Sequence, residues 1–283
     1  VSALVYADWY AASPDTLVWS APNGGSVSVA DVAALKDPIL AKPAIVSYSG
    51  LPAVSGRYGP VRARVDSPSP LGWTGNAIVL CACTIPNASR IEIDSWLINP
   101  SSHVLAAENF GSTRPGMARH IVVYNPARAL AESSSNTAKT AIHFFMPTPA
   151  GSFSIGRWFM GQMADITSAL LGPINDSAVD FAARGVSRSR DVRARPRGVG
   201  RRFELPLIQR GALPIIGGSI RMVELLDRIG ASTHVVFWPD ATLAAGGPAT
   251  HQRLLYGLFE KDVTVAHAGA DEFSTTPVLY ETR

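Results

Sequence analysis

Ser89-Arg90-Ile91-Glu92-Ile93-Asp94-Ser95-Trp96 alternates without a break, with Ile91, Ile93 and Ser95 on one side and Arg90, Glu92, Asp94 and Trp96 on the other. A period of two is that of a β-strand, whose successive side chains point to opposite faces. Outward from it, residues 61–65, 77–84, 120–124 and 140–146 are further segments of strand length and strand-like composition, each bounded by Pro, Gly, Asn or Ser. The 24 Gly and 21 Pro supply turns, and charged residues are only 17% of the chain. Many short strands at this spacing predict an antiparallel β-sandwich or jelly roll.

The sandwich closes on Ile155-Gly156-Arg157-Trp158-Phe159-Met160-Gly161. Residues 163–171 read as a turn or two of amphipathic helix, the arginine-dense stretch 184–202 as an extended arm, and 203–209 as a strand broken at Pro206. Residues 219–229 carry the best helical pattern: Ser219 as cap, then a stripe of Met222, Val223, Leu225, Leu226 and Ile229, with Gly230 at the stop. Residues 233–238 and 251–260 read as strands, with 262–266 pairing nearby. On the N-terminal side, 3–10 and 16–20 are strand-like, Pro22-Asn23-Gly24-Gly25 is a turn, and 27–35 fits either a strand or a short helix. The resulting division is 1–40 N-terminal strands or arm, 41–162 β-sandwich, 163–202 arginine-rich linker or arm, and 203–283 a small α+β domain. The predicted fold class is mainly β.

Charge is unevenly placed. The net +3 arises because 184–202 holds eight arginines against Asp191, giving that window +7 and the rest of the chain −4. Such a window neutralises phosphates in some proteins and docks on an acidic neighbour in others. No helical period, interleaved aromatics or nucleic-acid motif accompanies these arginines, which favours a protein partner over nucleic acid. Arg184, Arg188, Arg190, Arg193, Arg195 and Arg197 are therefore the candidate inter-subunit arm. Arginine outnumbers lysine 21 to 4, which suits bidentate pairing at interfaces.

No catalytic residue, metal ligand set or cofactor is assigned. Histidines 103, 120, 143, 234, 251 and 267 lack the i, i+2 and i, i+4 spacings of paired ligands. Ser219 follows Gly217-Gly218 without a Gly-x-Ser-x-Gly elbow, and no Gly-rich phosphate loop with its lysine occurs. Glu92 and Asp94 share a strand face, as carboxylates exposed to solvent commonly do. Cys81 and Cys83 are expected on one strand face as reduced thiols, about 7 Å apart, in a chain assembled in a reducing cytoplasm. A secretory segment and a membrane-spanning run of 18 apolar residues are both missing from the pattern. Trp73, Trp96, Phe110 and Tyr124 fall in or beside the predicted sandwich strands and loops. Trp73, Asn76 and Asn87 flank strand ends and are the candidate glycan-binding residues, while Trp158 and Trp238 read as packing residues.

The order of segments adds a resemblance. Trp73-Thr74-Gly75-Asn76-Ala77-Ile78-Val79-Leu80, Asn87-Ala88-Ser89-Arg90-Ile91-Glu92-Ile93 and Ile142-His143-Phe144-Phe145, closing on residues 155–161, resemble the galactose-binding-like jelly roll of minor tail proteins of tailed bacteriophages. Ser187-Arg188-Ser189-Arg190, Arg202-Phe203-Glu204-Leu205-Pro206-Leu207, Pro239-Asp240 and Tyr256-Gly257 resemble the segments C-terminal to the jelly roll in that family. The likeness spans residues 70–260. It implies a structural subunit of the tail tip or baseplate, similar to distal tail proteins, forming a homo-oligomeric ring of three- or six-fold symmetry. Its implied partners are the tail tube, tape-measure and receptor-binding or hub proteins, with a host-surface glycan as a further contact; its implied location is the virion. A free-standing carbohydrate-binding protein and a glycosidase are the alternatives.

Overall fold

The structure is a computed structural model and describes residues 2–12, 16–40, 42–67, 77–94, 103–108, 120–124, 138–166, 170, 174–180, 183–186, 192–195, 199–210, 221–230, 232–239, 254–260, 266–269 and 272–281. β1 (Ala3–Tyr6) is four buried residues, followed past Ala7 by one helical turn, α1 (Trp9–Ala12). β2 (Leu17–Ser20), β3 (Ser26–Ala30), a 3₁₀ turn (Val32–Lys36) and β4 (Ala44–Ser49) come next. The stretch 27–35, legible as strand or helix, is thus one and then the other. Further along lie β5 (Ala53–Val54), β6 (Arg57–Ser67), β7 (Ala77–Cys81), β8 (Arg90–Asp94), β9 (His103–Glu108), β10 (Ile121–Tyr124) and β11 (Ala138–Met146). Then come β12 (Gly151–Ile155), β13 (Arg157–Asp165), β14 (Asn175–Asp180), β15 (Ala183–Val186), β16 (Val192–Arg195), β17 (Val199–Glu204) and β18 (Leu207–Arg210). α2 (Met222–Ile229) precedes β19 (Val235–Trp238), β20 (Leu255–Phe259), β21 (Ala266–Gly269), β22 (Glu272–Thr275) and β23 (Val278–Glu281).

Every ladder among the described strands is antiparallel. The chain is mainly β, as its period-two segments predict. Nine described strands form one sheet in the order β10-β7-β13-β1-β19-β20-β23-β17-β14. A second sheet runs β2-β6-β11-β8-β9 with β5 on β6, and a third β12-β4-β3. Two smaller ones are β15-β16 and β18-β22-β21.

The large sheet crosses the expected divisions at 40/41 and 202/203. β1 is no arm: it lies between β13 and β19, Leu4 facing Ala164 on one side and Phe237 on the other. Four apolar residues buried on both faces need a partner at each edge, because every backbone N–H and C=O taken from water must be paired. The C-terminal strands therefore continue the sheet begun by β7, β10 and β13. The described residues within 163–202 are likewise mostly strand rather than a linker. The first of them, read as helical, finish β13, which stays paired to β1 as far as Asp165.

One face of the large sheet lines two cores. Trp158, Met160, Ile78 and Leu80 face a core completed by the second and third sheets, where Trp19 stacks on Phe144 at 6.0 Å and meets Trp158 edge-on at 6.1 Å. Leu4, Phe237, Leu255 and Phe203 face a core capped by α2, through Leu225, Leu226 and Ile229. The reverse face carries Val5, Val79, Phe159, Trp238 and Tyr256. Trp158 and Trp238 are indeed packing residues, 1% and 3% exposed; each aromatic buried so contributes about 2–3 kcal/mol.

Two local expectations are corrected. α2 starts at Met222 with Arg221 at its N-cap, not at Ser219, which lies outside the described residues. The Arg221 N–H donates to Glu224 Oε2 (3.3 Å), half of a capping box, so a donor at the helix start is satisfied without a serine. Cys81 and Cys83 do not share a face. Ala82 adopts a φ of 47°, the strand ends, and the two reduced thiols enter different cores, Cys81 that of Phe159 and Cys83 that of Ile85.

Candidate functional site

The densest polar chemistry among the described residues lies on the reverse face of the large sheet. Ala7, at φ 58°, lifts the chain out of β1, and Asp8 then stands where the ladder to β13 would have continued. Its carboxylate takes over that pairing: Met160 N–H donates to Asp8 Oδ1 (3.1 Å), and Ala11 N–H donates to the same oxygen (3.4 Å) at the start of α1. Arg157 donates to Asp8 Oδ2 through Nε (3.0 Å) and Nη2 (2.5 Å), and through Nη1 to the Tyr256 hydroxyl. The Tyr256 hydroxyl donates onward to the Pro38 carbonyl (3.4 Å). Both charged side chains are almost wholly buried. β1, α1, β13, β20 and the segment before β4 are thereby fastened at one point.

Two histidines flank Tyr256. His234 stacks on its ring at 4.9 Å, and His120 lies 6.3 Å away. His120 Nδ1 accepts the Ala82 N–H (3.3 Å), which leaves the proton on Nε2, buried and without a hydrogen-bond partner among the described residues. Arg201, on β17, donates its N–H to Glu281 Oε2 (3.0 Å) and sets its guanidinium over the Phe203 ring at 4.6 Å.

The electrostatics make this a clamp. Burial pushes the Asp8 carboxyl up, against the pull of Arg157 and the two backbone N–H groups. Burial works to lower Arg157, but Asp8, Tyr256 and Cys81 together outweigh it and the guanidinium stays charged. Burial drives the Tyr256 phenol upward and the Cys81 thiol well above its ordinary value, so neither is a ready nucleophile. Burial, helped by Arg201, lowers His120 to about 3; burial, helped by Arg157, lowers His234 to about 4. Neither histidine, nor the Tyr256 phenol, nor the Cys81 thiol is poised to exchange a proton near neutral pH.

The depressed histidines predict acid lability. Folded His120 stays neutral down to about pH 3, whereas unfolded His120 takes up a proton below about 6.5. Stability present above pH 6.5 is therefore lost as pH falls toward 3, by about 2 kcal/mol at pH 5 from His120 alone. His234 acts in the same direction. Urea unfolding at pH 7.5 and pH 5 should show a smaller loss for His120→Gln than for the unsubstituted chain; an identical loss would refute the assignment.

The residues singled out from sequence are scattered. Asn87 is exposed in a turn closed by Ser89 N–H donating to the Pro86 carbonyl (3.0 Å), while Trp73 and Asn76 lie outside the described residues. Arg184 is in β15, Arg193 and Arg195 are in β16, and Arg188, Arg190 and Arg197 lie outside the described residues. Arg201 and Arg202, which close the basic window, are engaged within the chain. Arg202 pairs with Glu204 and sits over the Tyr280 ring at 5.9 Å. Glu92 forms an ion pair with Arg90 (2.9 Å) on the polar side of β8. Among the described residues, no group of three His, Cys, Asp or Glu could hold a metal ion, and no helix is long and apolar enough to cross a membrane.

Asp8 and Arg157 were missed at the sequence level. The signal was a single charge set against a strongly apolar run in each case, Ala3-Leu4-Val5-Tyr6 and Trp158-Phe159-Met160. A charge in such a run needs a partner. No known protein family, curated protein or solved structure matches this chain.

Proposed function

We propose that the chain is a structural subunit of a bacteriophage tail tip or baseplate, one copy of a homo-oligomeric ring joining the tail tube to the host-recognition apparatus. The observation that carries this reading is the form of the arginine segment. β15 and β16 pair with each other and with no other described strand, Arg184 opposite Ala194 and Arg195 opposite Ala183. A lone two-stranded ribbon is marginal in water, so it gains most by lying on something else. The register places Arg193 and Arg195 on one ribbon face with Ala183 and Gly185, a spacing suited to an acidic strip on a neighbouring subunit. The family resemblance of residues 70–260 points the same way.

Replacing Arg188, Arg190, Arg193 and Arg195 with alanine should weaken assembly, each desolvated pair that loses its partner costing on the order of 2 kcal/mol. Light scattering and negative-stain imaging should find rings for the parent chain and smaller species for the variant. Tight, salt-sensitive DNA binding with assembly unchanged would reject the reading. A monomer that binds host glycan, and loses it on Trp73→Ala or Asn87→Ala, would favour a carbohydrate-binding protein.

A further inference from the structure

The third sheet ends on a strand whose own residues carry none of the usual protection. β3, Ser26-Val27-Ser28-Val29-Ala30, pairs with β4 through five consecutive register positions without a bulge, and no described strand pairs with its other edge. It contains no charge and no proline, the devices that keep free edges from pairing. Val27 and Val29 pack inward, while Ser26, Ser28 and Ala30 are exposed. The turn behind it is tightly built, since any side chain at Gly25 would come within 2.6 Å of the Ser49 carbonyl.

We propose that the free edge of β3 pairs antiparallel with β3 of a second copy of this chain, across a two-fold axis at Ser28. An isologous contact requires a strand that matches itself when reversed, and this one does. Ser28 meets Ser28, Val27 meets Val29, and Ser26 meets Ala30, so the inward valines stay on one face and the exposed neutral residues on the other. Registers centred on Val27 or Val29 overlap over fewer residues, and odd shifts set outward-pointing backbone groups against inward-pointing ones. Charge agrees: Asp31, at φ 58°, turns the chain out of the strand and would fall beside Gly25 of the other copy, so no like charges oppose. The three strands of each copy become one sheet, β12-β4-β3-β3-β4-β12. Beside the seam, the same exposed face holds Ile45, 48% exposed and opposite Ala30.

A five-residue seam is small against the roughly 800 Å² per partner of a stable interface, so the pair forms at high protein concentration. It does not rest on the tail reading. In the full chain, Ser28→Cys should cross-link into a disulfide dimer under mild oxidation, since directly opposed β positions are within disulfide reach. The buried Cys81 and Cys83 leave the new thiol as the reactive one. Cross-linking should be about tenfold faster than for Ser47→Cys, which is also exposed, on the neighbouring β4. It should persist in an Arg193→Ala, Arg195→Ala background, which separates it from ring assembly. Ser28→Lys, which would oppose two ammonium groups, should shift sedimentation toward smaller species while leaving the melting temperature unchanged. Equal cross-linking of Ser28→Cys and Ser47→Cys, or sedimentation of Ser28→Lys identical to the parent, would overturn the proposal.

Discussion

Arg157→Met should lower the unfolding free energy by roughly 3–5 kcal/mol, the cost of leaving a buried carboxylate without its partner. Asp8 would keep only the Met160 and Ala11 N–H donors, and Tyr256 would lose its hydrogen bond to β13. Methionine retains much of the volume, so the loss would be electrostatic rather than a cavity. Adding Asp8→Asn should recover part of it, because a neutral pair in the same space carries no stranded charge. Urea titrations of both single variants and the double variant would measure the coupling. A cost below 1 kcal/mol for Arg157→Met would mean that water reaches Asp8, contrary to its burial.

Gly257→Ala should be nearly as damaging, by about 3 kcal/mol, for a reason unrelated to charge. A Cβ at Gly257 runs into the Tyr280 carbonyl of the adjoining strand, which is backbone and cannot swing aside. Gly161→Ala meets the Tyr6 carbonyl in the same way. Gly230→Ala is the informative contrast: its φ is +59° and its ψ −176°, backbone that is essentially confined to glycine, but nothing lies within 4 Å of the added atom, so conformational strain alone, of about 1–3 kcal/mol, is expected. Thermal unfolding of the three variants should rank Gly257 and Gly161 above Gly230. Equal effects would mean that β20 and β23 separate easily.

How much of this could be read from residues alone depended on whether the signal was local. β8 could be read completely over its described residues: Ile91 and Ile93 are buried, and Arg90 and Glu92 pair on the opposite side. The break at Pro206 separates β17 from β18 as expected. β1 could not be placed, since a fully buried apolar run has no alternation and its neighbours are remote in sequence. The positive φ of Ala82 left no trace, because alanine does not advertise a left-handed conformation, and the face of Cys83 was therefore misjudged. Val192-Arg193-Ala194-Arg195 does alternate, yet Pro196 and the surrounding glycines made it read as a loose arm. The clamp was hidden for the same reason as β1: Asp8 and Arg157 are brought together by strand register, which no short window encodes.

The position of β1 also sets a timetable. Leu4 leaves the ribosome well ahead of its neighbours Ala164 and Phe237, which lie far downstream in the chain. At about 5–20 residues per second, this sticky tetrapeptide waits on the order of tens of seconds for both flanks. During that interval it is a natural handle for a chaperone, and the sheet cannot close around β1 until β19 has been made.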